Sequence, residues 1–124
     1  MTELTVSVVL YNSKGTLAEL ASSLADPVAQ EIAQVIAVDN ASADGSADAF
    51  AALLPGAKLI RNSENRGYAA ANNQTWPFIQ GRYWLLLNPD IRTNGASIRT
   101  LVSWMDTRPD VGVASPLLRG VDGT

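Results

Sequence analysis

Five consecutive large apolar residues, Tyr83-Trp84-Leu85-Leu86-Leu87, run directly into Asn88-Pro89-Asp90. A strand with one wet face alternates apolar and polar residues. A strand without alternation reads as covered on both faces, the habit of inner strands in parallel sheets. Proline cannot donate to a ladder and biases Asn88 toward an extended shape, so the strand is expected to stop there. Asp90 then stands at the carboxyl edge of a sheet, where open α/β folds bind ligands.

The rest of the chain supports such a sheet. Strand-like runs at 5–10, 34–38, 58–61 and 111–114 alternate with helix-like ones, the pattern of parallel strands joined by crossover helices. Ser13 is placed to cap a first helix through about Leu24, with Leu17, Leu20, Ala21 and Leu24 at helical spacing and Asp26-Pro27 as its stop. A second helix is expected over 46–54, ended by Pro55-Gly56, and a third over 68–75, with a kink or end at Trp76-Pro77. A fourth, over 97–107, turns Ile98, Leu101, Val102 and Met105 inward. The fold expected is a three-layer α/β/α sandwich on a mostly parallel, Rossmann-like sheet. No linker or repeat divides residues 1–124, which read as one domain.

Composition narrows the chemistry. With 124 residues, 47% hydrophobic and 17% charged, the chain can build one sizeable core. A net charge of −3 offers no basic surface for nucleic acid or anionic lipid. No apolar run approaches the ~20 residues that span a bilayer. The stretch 6–10 is too short for a signal peptide and lacks a cationic lead, so a cytoplasmic location is expected. With no cysteine and no histidine, disulfides, thiolate catalysis and Ser-His-Asp chemistry are excluded. Carboxylates, amides and hydroxyls remain. A bound metal would be a hard ion held by oxygen, Mg2+ or Mn2+.

Three strand ends carry polar residues that a parallel sheet would bring to one edge: Tyr11 and Asn12, then Asp39, Asn40 and Ser42, then Asn88 and Asp90. Each has an ordinary alternative. Asp39-Asn40 is common turn chemistry, or Asp39 accepts a ring N–H from a pyrimidine base. Asp44-Gly45-Ser46 suits a helix start. Residues 62–67 form a solvated connection, or an anion site before a helix. Asn72-Asn73 serves a ligand or a satisfied network of hydrogen bonds. Tyr11 stacks on a base or covers the core edge. Asp90 shares a divalent cation with a diphosphate, or caps the next segment or pairs with Arg92.

Together these stretches resemble glycosyltransferase family two, of the GT-A fold, and most closely its rhamnosyltransferase-like branch. The likeness rests on four runs in order: 6–12 (Val-Ser-Val-Val-Leu-Tyr-Asn), 38–46 (Val-Asp-Asn-Ala-Ser-Ala-Asp-Gly-Ser), 61–73 and 85–90. Pro109-Asp110-Val111-Gly112 and Asp122-Gly123 add to it. The resemblance implies an inverting transfer from a UDP- or dTDP-linked sugar to a glycan or other hydroxyl. Asp39 would contact the base. Tyr11 and the loop holding Asn62, Asn65 and Gly67 would line the nucleoside pocket, with Asn72 and Asn73 beside it. Asn12, Asn40, Ser42 and Asn88 complete the expected nucleotide-sugar set, and Asp90 would be the metal ligand.

Departures matter. Asn88 stands where many relatives carry the first acid of Asp-x-Asp, and Ala71 replaces a frequent glycine. Relatives also continue into an acceptor half that carries the general base, which is expected beyond residue 124. The chain is therefore expected to bind donor and metal without transfer, to risk self-association, and to work at the inner membrane face through its parent enzyme or acceptor. Rival readings are a nucleotide-binding regulatory module on the same fold, a receiver domain and a dinucleotide oxidoreductase. Tyr11-Asn12 replaces the acids a receiver needs. No Gly-x-Gly-x-x-Gly follows the first strand, against the oxidoreductase.

Overall fold

Val and Leu dominate the first strand, and both of its faces are buried. In the computed structural model, which describes residues 2–30, 32–117 and 119, β1 spans Leu4–Leu10. It lies at the centre of a four-stranded parallel sheet with β2 (Ala33–Asp39), β3 (Lys58–Arg61) and β4 (Tyr83–Leu87), in the order β3-β2-β1-β4. Leu10 pairs with Asp39, and Val8 with Leu87. The carboxyl ends of all four strands thus share one edge.

The two faces are covered unequally. Leu4, Val6, Val8 and Leu10 point into the main core with Val35 and Ala37 of β2. Leu17, Leu20, Ala21 and Leu24 of α1 (Leu17–Ala29) close it, with Phe50 of α2 (Ser46–Leu53) and Ile98 of α4 (Gly95–Asp106). On the other face Val9 and Val38 meet Ala71 of α3 (Tyr68–Asn73), a single short helix. The three-layer α/β expectation holds.

Four local expectations do not. Pro27 lies inside α1, which runs to Ala29 instead of stopping at Asp26. The proline falls within the last turn, where one missing N–H costs a single helical bond, and it is buried. The Pro27 carbonyl still accepts from Ile32 N at 3.0 Å. Residues 111–114 form no strand; their backbone is irregular and Val113 is exposed. β4 is not an inner strand but the edge of the described sheet. Tyr83, Leu85 and Leu87 face the main core, whereas Leu86 faces the thin α3 side and is 45% exposed. Ser13 also fails as a side-chain cap: a 3-10 turn, Lys14–Thr16, precedes α1, and its hydroxyl donates back to Tyr11 O at 3.2 Å. Asp122 and Gly123 lie outside the described residues.

Candidate functional site

Side chains alternate across β1, so Val9 and Tyr11 look to the α3 side while Leu10 faces the main core. Asn40 and Asn88, one residue beyond Asp39 and Leu87, follow the same alternation. An open cavity of about 530 Å³ sits at this end of the sheet. Its lining includes Val9, Tyr11, Asn12, Ser13, Thr16, Asn40, Asn65, Gly67, Tyr68, Asn88, Pro89 and Asp90. Seven expected site residues are therefore gathered there: Tyr11, Asn12, Asn40, Asn65, Gly67, Asn88 and Asp90. Asp39, Ser42, Asn62, Asn72 and Asn73 do not line it.

The loops after β1 and β2 are stitched together. Asn12 adopts a left-handed backbone (φ 50°), donates its N–H to Ser42 Oγ at 2.9 Å and accepts from Ala43 N at 2.8 Å through Oδ1. Ser13 N donates to Ser46 Oγ at 2.8 Å, and Lys14 N to Asp44 Oδ2 at 3.0 Å. The Ser46 hydroxyl, bonded to Asp44, holds the Asp44 carboxyl below its ordinary range; desolvation is the next-largest effect and opposes it, and the backbone N–H groups of Lys14 and Ser46 add to the lowering.

Asp39 is only 5% exposed and faces away from the cavity. Its Oδ1 accepts from Ser42 Oγ at 2.6 Å and its Oδ2 from Ser42 N at 3.2 Å. This is the turn geometry that its Asp-Asn context predicts. Asn72 likewise makes a satisfied network: Ser7 Oγ donates to its Oδ1 at 2.8 Å, and its Nδ2 donates to Tyr68 O at 3.2 Å. Asn73 is exposed one residue further along the helix.

Asn40 is almost wholly buried and shapes the far wall. Its Nδ2 donates to Gly67 O at 3.2 Å, while its Oδ1 accepts from Arg66 N at 3.2 Å and from Asn62 Nδ2 at 2.9 Å. Gly67 sits at φ 83°, ψ 168°, a conformation that strongly favours glycine, and its N–H donates to Asn65 Oδ1 at 2.9 Å.

Asp90 is exposed, and neither alternative role is realised. Arg92 pairs with Glu19 at 2.7 Å, and α4 is capped by Asn94, whose Oδ1 accepts from Ser97 N at 2.8 Å. Among the described residues Asp90 has no ion-pair partner. Its carboxylate and the Asn88 amide oxygen are hard donors on one wall, and no group of three acids or histidines occurs among the described residues. That set suits a divalent ion that draws most of its shell from water and phosphate, rather than one caged by protein.

Sequence reasoning overlooked Tyr68, a half-exposed ring that lines the same cavity as Tyr11, although it directly follows the loop glycine. It also overlooked Gln74, whose amide pairs with Asn62 behind the loop. No sequence signal marked that contact.

The comparisons with known proteins agree with this architecture. S. aureus TarS 1-349 superposes with a TM-score of 0.76 at 20% identity, over 94% of this chain and 39% of that one. The same protein in complex with UDP-GlcNAc gives 0.75 at 22% identity, over 87% and 32%. A mannosyltransferase from Pyrobaculum calidifontis, in complex with GDP-Man and Mn2+, gives 0.67 at 25% identity, over 83% and 32%. The chain thus spans about two fifths or less of the length of these structures. No curated protein sequence matches it. The family model described as Glycosyl transferase family 2 matches residues 5–124, nearly the whole chain, and the chain belongs to that glycosyltransferase family.

Proposed function

We propose that residues 1–124 form the donor-binding part of an inverting glycosyltransferase that takes its sugar from a UDP- or dTDP-linked donor. The observation that carries this reading is the meeting of Tyr11, Asn40, Asn65, Tyr68, Asn88 and Asp90 around one cavity at the carboxyl edge of the sheet. Two exposed phenol rings offer stacking surface to a base. Amides supply donors and acceptors for ribose. Asp90, with Asn88 beside it, would hold Mg2+ or Mn2+ against the pyrophosphate. When bound, such an ion neutralises charge on a departing nucleoside diphosphate. The complexes of TarS with UDP-GlcNAc and of the mannosyltransferase with GDP-Man and Mn2+ support this choice of ligands.

The base contact assigned to Asp39 requires the carboxylate to turn from Ser42 when donor enters. The rhamnosyl specificity, the glycan acceptor and the place at the inner membrane face belong to the same proposal and rest on the sequence resemblance. Among the described residues no helix is long and apolar enough to cross a membrane.

The test is thermal stabilisation by UDP- and dTDP-sugars with and without Mn2+. A Mn2+-dependent rise is expected for the wild type and should vanish in Asp90→Ala. An undiminished rise in that variant would move the metal elsewhere.

A further inference from the structure

Gln74 lies outside the cavity, yet it closes a chain of amides that ends at the cavity wall. Backbone groups fix the orientation of that chain. Arg66 N can only donate and Gly67 O can only accept, so Asn40 must present Oδ1 to the first and Nδ2 to the second. Asn40 Oδ1 also takes a hydrogen from Asn62 Nδ2 at 2.9 Å, which sets the Asn62 amide in turn. The second Asn62 Nδ2 hydrogen goes to Gln74 Oε1 at 2.8 Å, and Asn62 Oδ1 accepts from Gln74 Nε2 at 2.9 Å. Asn62 N donates to Asp39 O at 2.9 Å, so the near end of the loop is pinned to β2 as well.

We infer that Gln74 is a positioning residue for the donor site: its two hydrogen bonds lock Asn62 in place, Asn62 braces Asn40 through Nδ2, and Asn40 holds Arg66 and Gly67 so that Asn65 and Tyr68 stand at the cavity. This rests on the donor-binding reading for its link to function, but the mechanical claim stands on the amide chain alone. The side chain is the right length and carries both a donor and an acceptor. Gln74 also ends α3, with its own N–H shared between Ala70 O and Ala71 O, so its backbone is fixed while its amide reaches across. A polar network in which each member orients the next loses more than one bond when an end member is removed.

The experiment pairs amide exchange with nucleotide binding in Gln74→Met and Gln74→Glu. Methionine keeps the length and removes both bonds; glutamate keeps the acceptor and removes the donor. Exchange at Arg66 and Gly67 N–H should speed up about tenfold in both variants, the equivalent of roughly one hydrogen bond. Exchange in β1 and β2 should be unchanged, which excludes general unfolding. The dissociation constant of whichever of UDP or dTDP binds the wild type, with Mn2+, should rise by a similar factor. Unaltered loop exchange in both variants overturns the inference whether or not nucleotide binds. Faster loop exchange with unaltered affinity overturns its link to the donor site. If neither nucleotide binds the wild type, the donor-binding reading fails while the exchange data still decide the role of Gln74 in the loop.

Discussion

A single hydroxyl carries much of the turn after β2. Ser42 Oγ donates to the buried carboxylate of Asp39 and accepts from Asn12 N, so it joins two loops that are 30 residues apart. Ser42→Ala strips one bond from a buried carboxylate and leaves the Asn12 N–H without its acceptor. Unsatisfied groups of this kind cost ~1–3 kcal/mol, and the loss should appear as a lower urea midpoint with an unchanged slope. An unchanged midpoint would mean that water replaces the hydroxyl. The sequence made this turn legible, since Asp-Asn after a strand is common local chemistry. It could not reveal which face Asp39 would take. That depends on register: one residue of difference puts Asn40 at the cavity and Asp39 against the opposite side.

At the scale of elements, strand and helix types were readable because they depend on periodicity, while edges and ends depended on contacts. Pro27 remained helical because it is itself buried in the last turn, and residues 111–114 pair with no strand among the described residues. The entry to β4 shows how close such contacts become. Gly81, at φ 83°, passes so near Glu3 that an added Cβ would stand 2.4 Å from the Glu3 carbonyl carbon. Gly81→Ala should cost ~2 kcal/mol or more in equilibrium denaturation, since strain and backbone overlap add. Gly56→Ala, with open space around it, should be neutral or slightly stabilising.

The same junction carries a pH signature. Tyr83 Oη donates to Asp106 Oδ1 at 2.5 Å, and Arg82 bridges Glu3 and Asp106 at 2.5 and 2.8 Å. The Asp106 carboxyl is lowered, first by the Tyr83 hydroxyl and then by Arg82, and the Tyr83 phenol is raised, first by that same bond. A depressed acid contributes stability above its unfolded pKa, which is lost as pH falls through the folded value. A raised phenol contributes below its unfolded pKa, and that is lost as pH rises through the folded value. Asp106→Asn should therefore narrow the gap to wild type below the ordinary aspartate range of 3.8, and again above 10. A constant gap in pH-dependent urea titrations would show that the cluster is not coupled to folding.

Over the whole molecule, the meeting of distant loops was foreseeable because parallel strands point their carboxyl ends the same way. The residues that shape the cavity from behind, Gln74 above all, were not, because amide pairing between a loop and a helix end leaves no periodic trace. What the cavity can do follows from its acids. Asp90 is the one carboxylate among the lining residues, and in the proposed role of holding a cation against pyrophosphate it could not also remove a proton from an acceptor hydroxyl on the far side of the sugar. Inverting transfer needs both functions in line. Residues 1–124 should accordingly bind a nucleoside-diphosphate sugar saturably yet release no sugar to acceptor above the uncatalysed background in a radiolabel assay. Sustained turnover would require a base among these residues and would overturn this division of labour.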